Sequence, residues 1–335
     1  MRSIEQIWYS PISWQSAALL PLSGLFALIA AGRRGLYRAG VFKANRLPVP
    51  VVVVGNLTAG GAGKTPLTLF LARQLLERGR HPGIISRGYR GSAVEPLAVT
   101  PQTDPALCGD EPLLLARAGV PVFVCPDRAA AGRALLAAHP DVDVLLCDDG
   151  LQHYRLARDI ELCVVDGARG FGNGLPIPAG PLREPVARLR SVGAVVVNGP
   201  GASVAHEQVF RMTLQPGLFY ALANRNLTFA ASEFAGQQVA AVCGIGNPAR
   251  FFATLRGLGL SFSEHPFPDH HAFAMGDLPE ADWIVVTEKD AVKLAALPDL
   301  GAYGDKIRVL PVSARLEPDL TDWLIGKLNH GRQTA

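Results

Sequence analysis

The sequence predicts an α/β protein with a mostly parallel sheet in a first domain. A smaller α/β domain follows, joined to it by a β linker, and an apolar helix precedes both. Three observations predict this. Residues 51–65 read VVVVGNLTAGGAGKT, a β-branched strand running through a glycine-rich turn into a helical pattern. Apolar strand-like runs then alternate with helical segments as far as residue 198, the arrangement of a sheet covered on both faces. The alternation lapses over residues 209–235, where extended segments have no helix between them, and resumes from residue 236.

Length and composition fit this plan. A chain of 335 residues suggests two domains. With 49% apolar residues, a large core is readily built. The net charge is only +3, without a long basic run, which argues against nucleic acid as the main partner. Cys108, Cys125, Cys147, Cys163 and Cys243 are scattered without a CxxC spacing, so they read as reduced thiols rather than a disulfide or zinc framework. The last four lie in strand-like runs, where core packing is their expected role.

Residues 1–48 form the first segment. Trp8, Tyr9 and Trp14 precede SAALLPLSGLFALIAAG at 16–32, an uncharged stretch ending at Arg33 and Arg34. It stands at the lower limit of length for a spanning helix and contains Pro21 and Gly24. A buried core helix and a secretory signal are the competing readings. The signal is disfavoured because the preceding residues are hardly basic and a nucleotide site belongs in the cytosol. Aromatics on one flank and arginines on the other favour a membrane-associated helix, shallow or spanning. Arg33, Arg34, Arg38, Lys43 and Arg46 would then meet anionic headgroups.

Residues 49–208 form the expected first domain. Strand, small-residue loop and a helix opening on Gly63-Lys64-Thr65 make a phosphate-binding P-loop. Backbone N–H groups converge there at the positive end of a helix dipole. Thr58, Ala59, Gly60, Gly61, Ala62, Gly63, Lys64 and Thr65 would cradle the phosphates. Lys64 would reach the β- and γ-phosphates, and the Thr65 hydroxyl would hold Mg²⁺. The consensus glycine five positions before Gly63 is Thr58 here.

A helix is expected over 65–78, with Leu67, Phe70, Leu71 and Leu75 on one face and Gly79 ending it. Strands follow at 83–86, 120–125, 142–147, 160–166 and 194–198, with helices at 109–118 and 127–139. Ligands bind at the carboxyl ends of such strands. The stretch 170–185, GFGNGLPIPAGPLREP, is too rich in glycine and proline for regular structure and reads as an ordered loop over the site. In the second domain, 236–330, strands are expected at 239–243, 284–287 and 309–312, with helices at 249–258 and 319–328.

Several polar groups carry chemistry. Asp148-Asp149 ends the apolar run Val144-Leu145-Leu146-Cys147, the form of a Walker B strand whose carboxylate holds Mg²⁺. A simple Asp-Gly turn is the alternative. Asp110-Glu111 opens a helix, either as acidic capping or as a carboxylate that accepts a proton from an attacking hydroxyl. His270-His271 reads as surface, as a metal site, or as a histidine orienting a carboxylate across a cleft. Thr287-Glu288-Lys289-Asp290 reads as a capped helix start. Gly244-x-Gly246-x-x-Ala249 has the outline of a dinucleotide fingerprint, but Pro248 opens the helix and no acid follows a second strand, so it reads as a tight turn.

The segments GNLTAGGAGKTP (55–66), SRGYRG (86–91), GDEP (109–112), DDGLQH (148–153), PAGPLREP (178–185), GIGNPARFF (244–252), PDHHAF (268–273) and TEKDAVK (287–293), in this order, resemble the tetraacyldisaccharide 4′-kinase family of lipid A synthesis. The resemblance spans nearly the whole chain. It implies a P-loop kinase that uses ATP and Mg²⁺ to phosphorylate the 4′-hydroxyl of a tetraacylated glucosamine disaccharide 1-phosphate. It also implies an N-terminal membrane helix and action at the cytoplasmic face of the inner membrane. Asp110 matches the family's catalytic base and His270 the histidine that assists it. Asp148 and Asp149 match the Mg²⁺-associated acids, and Arg183 and Glu184 an active-site pair. Glu111, Arg128 and Gln152 would be further polar groups of the site. Thr58 fits the family's own loop pattern. Closure of the second domain would bring His270 to Asp110. The nearest rival, a partitioning-type membrane ATPase, carries a lysine where Ala59 stands. A nicotinamide- or flavin-dependent enzyme and a nucleotide-binding scaffold are the others.

Overall fold

The computed structural model of the chain describes residues 4–297 and 299–331. A helical turn, α1 (Ile4–Trp8), precedes the long helix α2 (Trp14–Arg38). A first sheet then begins: β1 (Val51–Gly55), α3 (Lys64–Glu77), β2 (Pro82–Ser86), β3 (Leu97–Ala98), α4 (Pro105–Cys108), α5 (Asp110–Leu115), β4 (Val122–Val124), α6 (Arg128–Ala138), β5 (Val144–Asp148), β6 (Ile160–Asp166), β7 (Ala194–Asn198) and β8 (Val209–Pro216). A second sheet follows: β9 (Phe219–Ala221), β10 (Thr228–Phe229), β11 (Val239–Cys243), α7 (Pro248–Gly257), β12 (Ser263–Pro266), β13 (Trp283–Thr287), α8 (Glu288–Ala295) and β14 (Ile307–Leu310). The described chain ends with β15 (Val312–Glu317) and α9 (Leu320–Gly331).

The first sheet has the order β15-β8-β7-β6-β1-β5-β2-β4-β3. From β8 to β4 all neighbours are parallel, and antiparallel β15 and β3 close the edges. The valines of β1 show why this strand is central. Val52 and Val54 face one apolar layer, with Leu67, Leu71 and Leu75 of α3. Val51 and Val53 face the opposite layer, with Ala131 and Leu135 of α6. Alternate side chains point to opposite faces, so a strand buried on both sides must be apolar throughout. Leu71 is fully buried, and its truncation to alanine would cost about 2–5 kcal/mol.

The second sheet has the order β10-β9-β14-β13-β11-β12, parallel from β14 to β12 and antiparallel at β9 and β10. Phe251, Phe252 and Leu255 of α7 cover one face, and Ala291 and Leu294 of α8 cover the other.

The segment 209–235, expected to be a connection, is divided between the sheets: β8 extends the first, and β9 and β10 edge the second. The expected strand 309–312 is divided too. β14 stops at Leu310, and β15 begins at Val312 on the first sheet, paired with β8. Pro311 lies between them and lacks an N–H to continue a ladder. The Gly217 N–H donates to the Pro311 carbonyl at 3.0 Å, so the two passages of the chain between sheets run side by side. After the second passage, α9 buries Leu320, Leu324 and Leu328 in the first sheet's core beside α3.

α2 is polar towards the protein and apolar towards the outside. Leu28 is 71% exposed and Leu22 57%, whereas Ser16 and Ser23 are buried. The Ser23 hydroxyl donates to the Pro176 carbonyl at 3.0 Å and accepts from the Ala179 N–H at 2.8 Å. The helix is 25 residues long with mean hydropathy 1.5 in its most apolar window, enough in length and composition to cross a membrane.

Candidate active site

The carboxyl ends of β1, β5 and β6 open into a cavity of about 1410 Å³ between the two sheets. β1 delivers the chain to Asn56 and the glycine-rich loop. Gly60 (φ 95°) and Gly63 (φ 101°) take left-handed conformations that strain any other residue. A side chain at Gly63 would also collide with Asn198, whose amide donates to the Ala62 carbonyl at 2.9 Å. Thr58 needs no such freedom, because it bridges antiparallel to Leu182 of the 170–185 loop. That loop runs alongside: the Ala59 N–H donates to the Pro181 carbonyl, and the Arg183 N–H to the Leu57 carbonyl, each at 2.7 Å.

Lys64 is the first residue of α3. Its Nζ donates to Asn56 Oδ1 at 3.3 Å and lies 3.5 Å from Asp149 Oδ1. Asp148 ends β5 and is completely buried. Its Oδ1 accepts from the Thr68 hydroxyl at 3.0 Å, while its Oδ2 is buried with no hydrogen-bond partner. Burial, reinforced by the charge of Glu111, pushes this carboxyl up to about 7. An orphaned acid oxygen beside the loop and a hydroxyl at Thr65 fit a Mg²⁺ ion. Such an ion takes one or two protein oxygens and fills its octahedron with phosphate and water. Among the described residues no group of three or more His, Cys, Asp or Glu side chains forms a fuller metal cage.

Asp149 has a different environment from Asp148. Arg183 donates to both its carboxylate oxygens at 3.1 Å, and Arg128 donates to its backbone carbonyl at 3.2 Å. Burial favours its neutral form, but Lys64 and Arg183 outweigh this and hold the carboxyl well below the usual range. Glu184 is buried among Tyr154, whose hydroxyl donates to it, Gln152 at 3.1 Å and Arg34 of α2 at 3.3 Å. The expected pair Arg183-Glu184 therefore divides, one member facing Asp149 and the other fastening α2 to the loop. Gln152 also donates to the Asn56 carbonyl at 3.1 Å.

Across the cavity, Asp110 begins α5 and accepts from His270 Nδ1, which lies 3.0 Å from Oδ2 and 3.2 Å from Oδ1. His270 comes from the second sheet's 268–271 turn. The three non-glycine residues with positive φ among the described residues are Arg90, Asp149 and His270, and all belong to this region. Such strain persists only where the surroundings enforce it. Here the Arg90 guanidinium donates to the His270 carbonyl at 2.5 Å, and the Tyr89 ring meets the imidazole edge-on. Burial pushes the Asp110 carboxyl up, but the His270 bond and the Lys289 charge prevail and lower it. His271 turns away to Asp277 Oδ2 at 2.9 Å and stacks on Phe267.

Sequence reasoning missed Lys289 and a second cross-link. Thr287 caps α8, accepting from the Asp290 N–H at 3.2 Å, as the sequence predicts. The same turn nevertheless delivers Lys289 to Glu111 and Asp269, each at 3.2 Å. In the second cross-link, buried Asp166 at the end of β6 receives Arg250 at 2.8 Å and Asn247 at 3.2 Å from the second sheet. Arg169 joins it and donates to the carbonyls of Gly61 and Gly246, at 2.6 and 2.8 Å. The 244–248 turn thus abuts the P-loop: a Cβ on Gly246 would stand 2.9 Å from the Gly61 nitrogen. The available signal was the acid at the end of β6, in the position where a parallel sheet places ligands.

A glycine-rich loop opening a helix at the carboxyl end of a parallel strand is the architecture of a phosphate-binding enzyme. The tetraacyldisaccharide-1-P 4′-kinase family profile matches residues 15–329. The tetraacyldisaccharide 4′-kinase of Chromobacterium violaceum is 56% identical over 99% of this chain and 100% of its own. That of Dechloromonas aromatica is 51% identical over 100% and 99%. A crystal structure of LpxK from Aquifex aeolicus in complex with ATP superposes with a TM-score of 0.77, at 29% identity, over 95% of this chain and 99% of that one. The chain belongs to the tetraacyldisaccharide 4′-kinase family.

Proposed function

We propose that the protein transfers the γ-phosphate of ATP to the 4′-hydroxyl of a tetraacylated glucosamine disaccharide 1-phosphate, at the cytoplasmic face of the inner membrane. The observation that carries this reading is one cavity walled on three sides. The P-loop forms one wall, Glu111 and His270 (the latter bonded to Asp110 behind it) another, and Phe26 and Ile29 of the apolar helix α2 the third. A phosphate donor, a hydroxyl acceptor and an acyl chain have separate walls to meet.

Phosphoryl transfer depends on positioning and charge neutralisation. The loop N–H groups and Lys64 hold the triphosphate. Arg183 and Arg128, both bonded to Asp149, add positive charge beside Lys64. Mg²⁺, which the Thr65 hydroxyl and the unpartnered Asp148 oxygen would hold, would neutralise phosphate charge when bound, while Asp149 stays bonded to Arg183. Asp110 accepts the acceptor hydroxyl's proton, and His270 fixes its carboxylate for that role. The two sheets move as units about the paired passages at Gly217 and Pro311, and the Asp166 cross-links hold the closed form. The exposed apolar face of α2, with Arg33 and Arg38 at its end, rests in the inner leaflet.

Incubation with γ-labelled ATP and a tetraacyl disaccharide 1-phosphate tests the proposal. A labelled bisphosphate lipid is expected. Release of labelled inorganic phosphate with no labelled lipid would identify an ATPase and overturn it.

A further inference from the structure

Lys289 occupies the far side of His270 from Asp110. Its Nζ lies 3.2 Å from His270 Nε2, 3.2 Å from Glu111 Oε1 and 3.2 Å from Asp269 Oδ1. An ammonium has three donors and no acceptor. With Glu111 and Asp269 taking two, the third N–H points at His270 Nε2, which must then be an unprotonated acceptor. The ring's single proton is thereby placed on Nδ1, the nitrogen 3.0 Å from Asp110 Oδ2. An imidazolium here would turn an Nε2–H donor towards an ammonium donor. Its only other nearby carboxylate, Asp269 Oδ2, is 3.8 Å away, too far for a hydrogen bond.

We propose that Lys289 is a positioning residue: it holds His270 as the neutral Nδ1–H tautomer and so keeps Asp110 oriented and ionised as the proton acceptor. The inference rests on the role proposed for Asp110. The charged groups around the pair are Asp110 and Glu111 of α5, Asp269 of the same turn as His270, Lys289 and Lys293 of α8, and Arg90 at the His270 carbonyl. Burial works against the Lys289 charge, but Glu111, Asp110 and Asp269 outweigh it and raise its pKa, so the ammonium persists through the neutral range. Glu111 and Asp110 belong to the first sheet's side, Lys289 and His270 to the second's. The tautomer is therefore set by the same contacts that bring the two sheets together.

The test is histidine-selective ¹⁵N NMR of the full-length protein in micelles, with the His270 signals assigned by their loss in His270→Asn. Wild type should show an acceptor-type Nε2 and a protonated Nδ1. A protonated Nε2 at neutral pH would overturn the inference whatever the activity of any variant. In Lys289→Met a protonated Nε2 should appear, with Nδ1–H still donating to Asp110. There kcat should fall about a hundredfold with KM for ATP little changed, and the acid limb of the rate profile should move to higher pH as Asp110 loses a nearby cation. Lys289→Arg should restore the Nδ1–H tautomer. Unchanged ¹⁵N shifts in Lys289→Met would refute the assignment. Full activity of Asp110→Ala would instead refute the role of Asp110, and the ¹⁵N result on Lys289 would stand apart from it.

Discussion

Asp148→Asn separates the catalytic use of a buried acid from its cost to the fold. The substitution keeps the side-chain shape and the acceptor for the Thr68 hydroxyl. Without a bound ion, burial pushes the Asp148 carboxyl from its ordinary 3.8 up to about 7. The folded chain therefore binds a proton that the unfolded chain has released between these values. Stability is undiminished below the unfolded value and is lost as pH rises through the folded one. That rise, at about 1.4 kcal/mol per pH unit, sets a ceiling near 4 kcal/mol. About 3 kcal/mol of that accrues between pH 5 and pH 8. Asparagine carries no such charge. With EDTA present, the stability advantage of Asp148→Asn over wild type should be about 3 kcal/mol larger near pH 8 than near pH 5, measured by thermal unfolding at the two pH values. The variant should also lose Mg²⁺-dependent transfer. Equal pH dependence of the two proteins would sink the argument, because it would mean that the buried oxygen costs nothing to ionise.

Three further outcomes are expected. Asp110→Ala should lower kcat by about 10²–10⁴-fold with little change in ATP binding; a loss confined to ATP affinity, measured by equilibrium binding, would contradict its role. Gly246→Val should raise KM for ATP, since the new side chain meets the P-loop backbone at Gly61, and steady-state kinetics would register the change. Leu25→Ser with Leu28→Ser should weaken flotation with anionic vesicles while leaving the thermal midpoint unchanged, because both leucines are exposed; unaltered flotation would place anchoring elsewhere.

Much of this protein is set by local chemistry. Four valines before a glycine-rich turn can only be a strand buried on both faces, and Lys64 after that turn must open a helix whose N–H groups are free. Asp148 follows four apolar residues and is carried to a strand end. The apolar run at 16–32 is unbroken by charge, so it is a helix wherever it lies. These features depend on neighbours in sequence, and they were legible there.

The tertiary structure decided what depends on distant neighbours. Nothing near Pro311 tells which sheet the next strand joins; pairing of β15 with β8, 96 or more residues earlier, decides it. Asp148 and Asp149 are adjacent and chemically identical, yet one is fully buried with an oxygen unpartnered and the other lies between Lys64 and Arg183. Lys289 looks like an exposed charge in a helix cap until two sheets converge and surround it with carboxylates. Local order follows from torsions, capping and periodicity, which act over a few residues. The charge state of a buried group follows from the dielectric and the charges that folding assembles around it, and these come from anywhere in the chain.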